Sequence, residues 1–179
     1  LNGYDDGSFR PERVISRAEF TKMLVGALGH GEDAASLANG VSSYADVEME
    51  FWAKGFIEIA REMDLADDSF AAFEPEAALL RGEAIAILGR VLLPNSFKEQ
   101  LTLPPFIKQA DLSPEALKEL SAAYSLGLLD GYSEENFQPD EPLKRQEAAV
   151  LITRMMDIKG ILYDFKGTLV NSDNGILEI

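Results

Sequence analysis

The chain has 179 residues, 46% of them hydrophobic, enough for one domain of common size or two small ones with a genuine core. Its 16 basic and 31 acidic residues leave a net charge of −15, which argues against nonspecific binding to nucleic acid or to an anionic membrane, because both need a basic face. With no cysteine and one histidine, His30, it lacks the material for disulfides, thiolate sites or histidine triads, and neither a metal nor a cofactor is expected.

In chain order, Gly3 and Asp5-Asp6-Gly7 supply turn chemistry. Ser16-Arg17-Ala18-Glu19 then opens a helix, with Ser16 as N-cap and Glu19 completing a capping box. Phe20, Met23, Leu24, Ala27 and Leu28 form its apolar face, and Gly29 and Gly31 stop it. Residues 32 to 43 read as a polar connector with at most one helical turn. A second helix carries Trp52, Phe56, Ile57, Ile59, Ala60 and Met63, and a third runs from Arg81 to Leu93. Pro94 and Pro104-Pro105 bracket a linker. Ser113 caps a fourth helix with Pro114 at its first position; Leu117, Leu120, Ala123 and Tyr124 line its buried face and Gly127 ends it. The last helix runs from Lys144 to Asp157. Residues 161–179 alternate strand-like runs with a turn and read as a short C-terminal β-hairpin, or as the start of a following domain.

Three segments superimpose without a gap at an offset of 64 residues: Phe9, Phe73 and Phe137; Pro11, Pro75 and Pro139; Arg17, Arg81 and Arg145; Glu19, Glu83 and Glu147. The front halves align with a one-residue shift, Asp46 with Asp111. The first copy lacks such a front half. The chain begins at Leu1 inside a repeat and reads as an excised fragment with a truncated first unit. The units are about 1–43, 44–106 and 107–157, a repeat domain over 1–157 followed by residues 158–179.

The order Asp46-Val47, Trp52-Ala53, helix, then Gly3, Asp6, Gly7, Phe9, Pro11 and Ser16-Arg17-Ala18-Glu19, resembles the S-layer homology repeat of bacterial surface proteins. The second copy departs with Asp67, Ala71 and Leu80-Arg81-Gly82-Glu83; the third keeps Gly131 but reads Lys144-Arg145-Gln146-Glu147. The resemblance implies an all-α fold, a pseudo-threefold helical prism with one helix per unit in a central bundle. It also implies a noncatalytic module on the bacterial cell surface, in the cell wall or S-layer. Such a module anchors its protein to a secondary cell-wall polysaccharide, often pyruvylated. The arginine and the hydroxyl before it are that family's ligand contacts.

On that basis the expected glycan-binding residues are Ser16, Arg17, Arg81, Arg145, Gly3, Gly131 and Trp52. The chemistry fits: a helix N-terminus offers free N–H groups to a carboxylate, and an arginine adds a charge-assisted pair. Tyr4, Tyr132 and Trp52 offer a sugar ring an apolar platform, although Trp52 reads first as a core residue. Ser16 reads first as a cap, and each arginine has a structural alternative, pairing with a glutamate of its own or a neighbouring unit. Glu19, Glu83 and Glu147 read as capping and inter-unit salt-bridge residues rather than catalytic acids.

Two other functions compete. Degenerate repeats with filled grooves would make a scaffold that self-associates, through the truncated first repeat or otherwise. Paired carboxylates could make a glycosidase, but no catalytic constellation supports it. The acidic pairs Asp5-Asp6 and Asp67-Asp68 lack the spaced oxygen series of a calcium loop. Residues Tyr163 to Val170 resemble the haloacid-dehalogenase phosphatase motif, but Lys166 stands where its general acid belongs, and that reading is rejected.

Overall fold

The computed structural model describes residues 8–66, 72–93, 102–107 and 113–161. Gly3, Tyr4, Asp67-Asp68, Asp111 and the expected C-terminal hairpin lie outside them. Among the described residues the chain is helical, with isolated β-bridges and no sheet. The helices are α1 (Arg17–Ala27), α2 (Gly31–Leu37), α3 (Lys54–Glu62), α4 (Arg81–Leu92), α5 (Pro114–Ser125), α6 (Glu134–Phe137) and α7 (Arg145–Ile158).

Their starts follow from local chemistry. Ser16 Oγ accepts the Glu19 N–H at 3.3 Å while the Glu19 carboxylate accepts the Ser16 N–H at 3.0 Å. Leu80 and Lys144 have no side-chain oxygen for the first half of that box. The second half persists: Glu83 accepts the Leu80 N–H and Glu147 the Lys144 N–H, each at 2.9 Å. Ser113 Oγ accepts the Ala116 N–H at 3.1 Å, with Pro114 opening α5.

Three expectations need correction. Gly29, at φ +90°, ends α1, but Gly31 opens α2, so much of the supposed connector is helix. The third loop contains the single-turn helix α6. Trp52 precedes α3 and is 50% exposed, so it is not a core residue; Ala53, Ile57, Ile59 and Ala60 fill the core there instead.

The three copies meet at their extended N-cap segments. Ile15 N–H donates to Leu143 O at 3.0 Å, Leu143 N–H to Leu79 O at 2.8 Å, and Leu79 N–H to Ile15 O at 3.2 Å. This closes a three-membered ring. The flanking bridges, Val14 with Lys144, Ser16 with Ala78 and Leu80 with Pro142, repeat the same cyclic order. Ile15, Leu79 and Leu143 are wholly buried. Before each segment, the middle residue of Phe-x-Pro adopts the left-handed region: Arg10 at φ 51°, Glu74 at 57° and Gln138 at 37°. A turn follows in each, with Arg13, Ala77 and Glu141 donating to those residues' carbonyls.

The helices assemble around this ring. α7 packs on both α1 and α4, while front-half helices cover the other faces, α3 on α1 and α5 on α4. Helix α2 lies against α3. Two glycines permit the closest approaches. A Cβ on Gly55 would stand well inside contact distance of the Ala34 carbonyl, and one on Gly89 would lie 2.2 Å from the Glu119 carbonyl oxygen. A Cβ on Gly26, also helical, meets nothing within 4 Å.

The same substitution should therefore have opposite signs at two sites. Gly26→Ala is expected to raise unfolding stability by roughly 0.5–1 kcal/mol through helix propensity. Gly89→Ala is expected to lower it by roughly 1–3 kcal/mol, because backbone must move. Urea denaturation of both variants checks this; a stabilising Gly89→Ala would refute the α4–α5 packing.

Candidate functional site at the unit junctions

Because the ring fixes where each helix begins, it also fixes where the repeated arginines go. Each reaches into the Phe-x-Pro loop of the next unit. Arg17 Nε donates to Phe73 O at 3.0 Å and its Nη1 pairs with Glu83 at 2.9 Å, with the guanidinium 5.5 Å from the Phe73 ring centre. Arg81 Nη1 donates to Phe137 O at 2.8 Å and Gln138 O at 2.9 Å, and Nη2 pairs with Glu147 at 3.0 Å. The Arg145 guanidinium lies 5.0 Å from the Phe9 ring centre, closing the cycle onto the first unit. Arg81 and Arg145 are buried; the Arg17 side chain retains 23% exposure.

The loops are held from their other side by a residue to which sequence reasoning gave no role. Asp46 accepts the N–H groups of Phe73 at 2.8 Å and Glu74 at 2.7 Å. Desolvation pushes the Asp46 carboxyl up, but those two backbone bonds outweigh it and leave its pKa below the ordinary aspartate value. Its place in the Asp-Val signature was the available signal.

The expectation of free N–H groups at the helix starts fails. Arg17 and Ala18 donate to Ala77 O and Pro75 O, Arg81 and Gly82 to Glu141 O and Pro139 O, Arg145 and Gln146 to Arg13 O and Pro11 O. Each is taken by the backbone of another unit, since the ring brings that strand alongside. A carboxylate here must be held by side chains.

The three junctions differ. Beneath Arg17 lies a cavity of about 20 Å³ walled by Phe20, Thr21, Leu24, Ala60 and Phe73, room for a water and not for a sugar. Beside Gly131 an open groove of about 400 Å³ runs between the 130–136 loop and α7, lined by Tyr132, Asn136, Gln146, Glu147 and Arg154. Gly131 has φ +85°, so a side chain there would be strained as well as obstructive. Tyr132 meets Phe137 edge-on at 5.7 Å. Burial pushes its phenol pKa up, against the opposing charge of Arg81 behind it. At the third junction Glu12 accepts from Lys144 Nζ at 2.6 Å and Gln146 Nε2 at 2.7 Å. Of the expected residues, the structure gathers Arg81 and Gly131 at one junction, Arg17 and Ser16 at another and Arg145 at the third. Trp52 stands apart, with Lys22 Nζ 5.4 Å from its ring centre.

Residues 1–21 and 111–149 match the model of the S-layer homology domain. The chain carries S-layer homology units. It is 29% identical over 167 residues to cell surface glycoprotein 1 of Acetivibrio thermocellus, covering 88% of this chain and 7% of that protein. It is 27% identical over 183 residues to the cellulosome-anchoring protein of the same organism, covering 96% and 39%. A third relative is the amylopullulanase of Thermoanaerobacterium thermosulfurigenes, 25% identical over 162 residues, covering 89% and 8%. The chain thus spans less than half the length of each. S-layer homology units belong to the bacterial cell surface, in association with the wall, and that is the location of this chain.

Two predictions follow from the junction geometry. Arg81→Ala strands Glu147 and two carbonyls in a buried seam and should cost about 3 kcal/mol; Arg17→Ala, at a half-exposed pair, should cost about 1 kcal/mol or less. Urea titrations in which Arg17 proves the costlier loss would reverse the assignment. The Asp46 contribution has a defined pH dependence. Its folded pKa lies below the unfolded one, so the contribution is complete above the unfolded value of about 3.9 and is lost as pH falls through the folded value. Asp46→Asn should therefore be less stable than the parent at pH 7, with the difference shrinking below about pH 4. A difference unchanged down to about pH 2 would remove Asp46 as the cause.

Proposed function

We propose that this chain is a noncatalytic anchoring module that ties a larger surface protein to the bacterial wall. Its ligand is an acidic, pyruvylated secondary cell-wall polysaccharide held in the seams between units. The repeat domain over residues 1–157 acts as one prism of three units, with residues 158–179 leading out of it. The observation that carries this reading is the groove beside Gly131. It has the volume of a small-ligand site and an aromatic wall in Tyr132, and it opens where Arg81 crosses between units. Ser16, Arg17, Arg81, Arg145, Gly3, Gly131 and Trp52 remain the assigned contacts. Arg17 leads among the arginines, being the least buried of the three.

A second reading has an observation of its own. Arg81 is buried against Glu147 and two carbonyls, and the helix-start N–H groups are spent on the ring. Seams so filled suit a scaffold that holds units together without a ligand.

Pull-down on cell-wall sacculi separates the two. The chain should bind intact sacculi and lose binding after acid extraction of the glycan. Tyr132→Ala should weaken binding about tenfold, equivalent to about 1.4 kcal/mol. Arg17→Ala should weaken it more than Arg81→Ala does, per folded molecule. Indifference to intact sacculi, together with concentration-dependent self-association, would select the scaffold.

A further inference from the structure

The internal symmetry exposes a face that its two counterparts cover. Residues 25, 89 and 153 are equivalent across the units. Val25 is wholly buried on α1, which α3 covers, and Gly89 backs directly on Glu119 of α5. Thr153, on α7, is exposed. One turn earlier Thr21 and Ile85 are buried while Ala149 is half-exposed, and one turn later Leu92 is buried while Met156 is half-exposed. Helix α7 packs on α4 and α1, and among the described residues no front-half helix lies on this third face.

Charge points the same way. In the second unit Arg90 pairs with Glu119 of α5 at 2.6 Å and donates to Asp64 O at 3.2 Å. Its equivalent, Arg154, keeps the matching carbonyl bond, to Asp130 O at 2.8 Å, but no carboxylate among the described residues takes the place of Glu119. The seat is apolar along Ala149 and Met156 and carries a cation at its rim without the acid its counterpart has.

We propose that this face of α7 is the seat of a front-half helix supplied by another S-layer homology unit, of the α5 kind, with a glutamate facing Arg154. Thr153 in place of Gly89 sets the incoming helix farther out than α5 stands from α4, at the spacing that Val25, of similar shape, imposes on α3. The seat lies on the opposite side of Arg154 from the Gly131 groove, so occupation of one does not require the other.

The test uses the full chain and a labelled peptide of residues 111–128, which contains α5, read by fluorescence anisotropy. The peptide should bind saturably, and Glu119→Lys in it should weaken binding at least tenfold. Arg154→Glu in the chain should weaken the parent peptide similarly and restore the Glu119→Lys peptide, a rescue that general destabilisation cannot produce. Thr153→Arg should abolish binding of both. The proposal is overturned if the peptide does not bind, or if charge reversal on the two sides fails to compensate. It is also overturned if binding appears only after removal of residues 162–179, which would make that segment the occupant. Sedimentation showing a dimer, lost in Thr153→Arg but undisturbed by saturating peptide, would assign the face to a second copy and likewise overturn it.

Discussion

The architecture depends on three backbone hydrogen bonds that form a closed cycle through Ile15, Leu143 and Leu79. Each residue donates once and accepts once, so three buried peptide groups satisfy one another at a point where no water reaches them. No pair of units can make this arrangement alone, because two extended segments would leave a donor and an acceptor stranded. The cycle therefore demands three copies, and it demands them in register. It also consumes the strand edges that three short extended segments would otherwise present. Once closed, it aligns each helix start beside the Phe-x-Pro loop of another unit, which is why the first two N–H groups of α1, α4 and α7 find carbonyl acceptors there.

The repeat, the helix caps at Ser16 and Ser113, and the reciprocal role of the glutamates were legible in the sequence, because each depends on contacts within a few residues. The pairing of Arg17 with Glu83 and Arg81 with Glu147 was foreseeable as a class, since both positions recur at the same offset. The ring was not. Val14-Ile15-Ser16 carries no turn or periodicity signal of its own, and its partners lie far away in the chain. Nor was the left-handed backbone of Arg10, Glu74 and Gln138, where glycine or asparagine would have announced the turn. Trp52 misled because size and hydrophobicity suggest burial, yet its position just before α3 leaves its ring outside, beneath Lys22.

Degeneration of the motif has been compensated locally rather than tolerated. Where the first unit has Ser16 and Ala18, the third has Lys144 and Gln146, and both reach the same carboxylate, Glu12. The hydrogen bond and charge of Lys144 lower the Glu12 pKa, and Glu12 raises that of Lys144 in return. Both groups lie at the surface, so salt screens their attraction and the contact orients the junction more than it strengthens it. A lost cap in the third unit has thus become a tie to the first, and the three junctions have acquired different chemistry on one backbone plan.

That difference decides which junction can exchange an internal carboxylate for an external one. A ligand acid approaching Arg17 competes with Glu83, itself 42% exposed, and an exposed ion pair is worth about 1 kcal/mol or less. Approaching Arg81, it competes with Glu147 in a seam where that arginine is buried and two carbonyls share its nitrogens; stranding such a pair costs several times more. The Gly131 groove offers volume and an aromatic wall at the junction whose cation is hardest to release. The Arg17 junction offers an exchangeable cation over a cavity too small for a sugar. An extended polymer meets both conditions at once where a monosaccharide cannot. One residue can lie against Tyr132 while an acid elsewhere on the chain displaces Glu83. The acidic bulk of the protein then favours specificity, because only a ligand that brings its carboxylate to an exchangeable arginine overcomes the general repulsion.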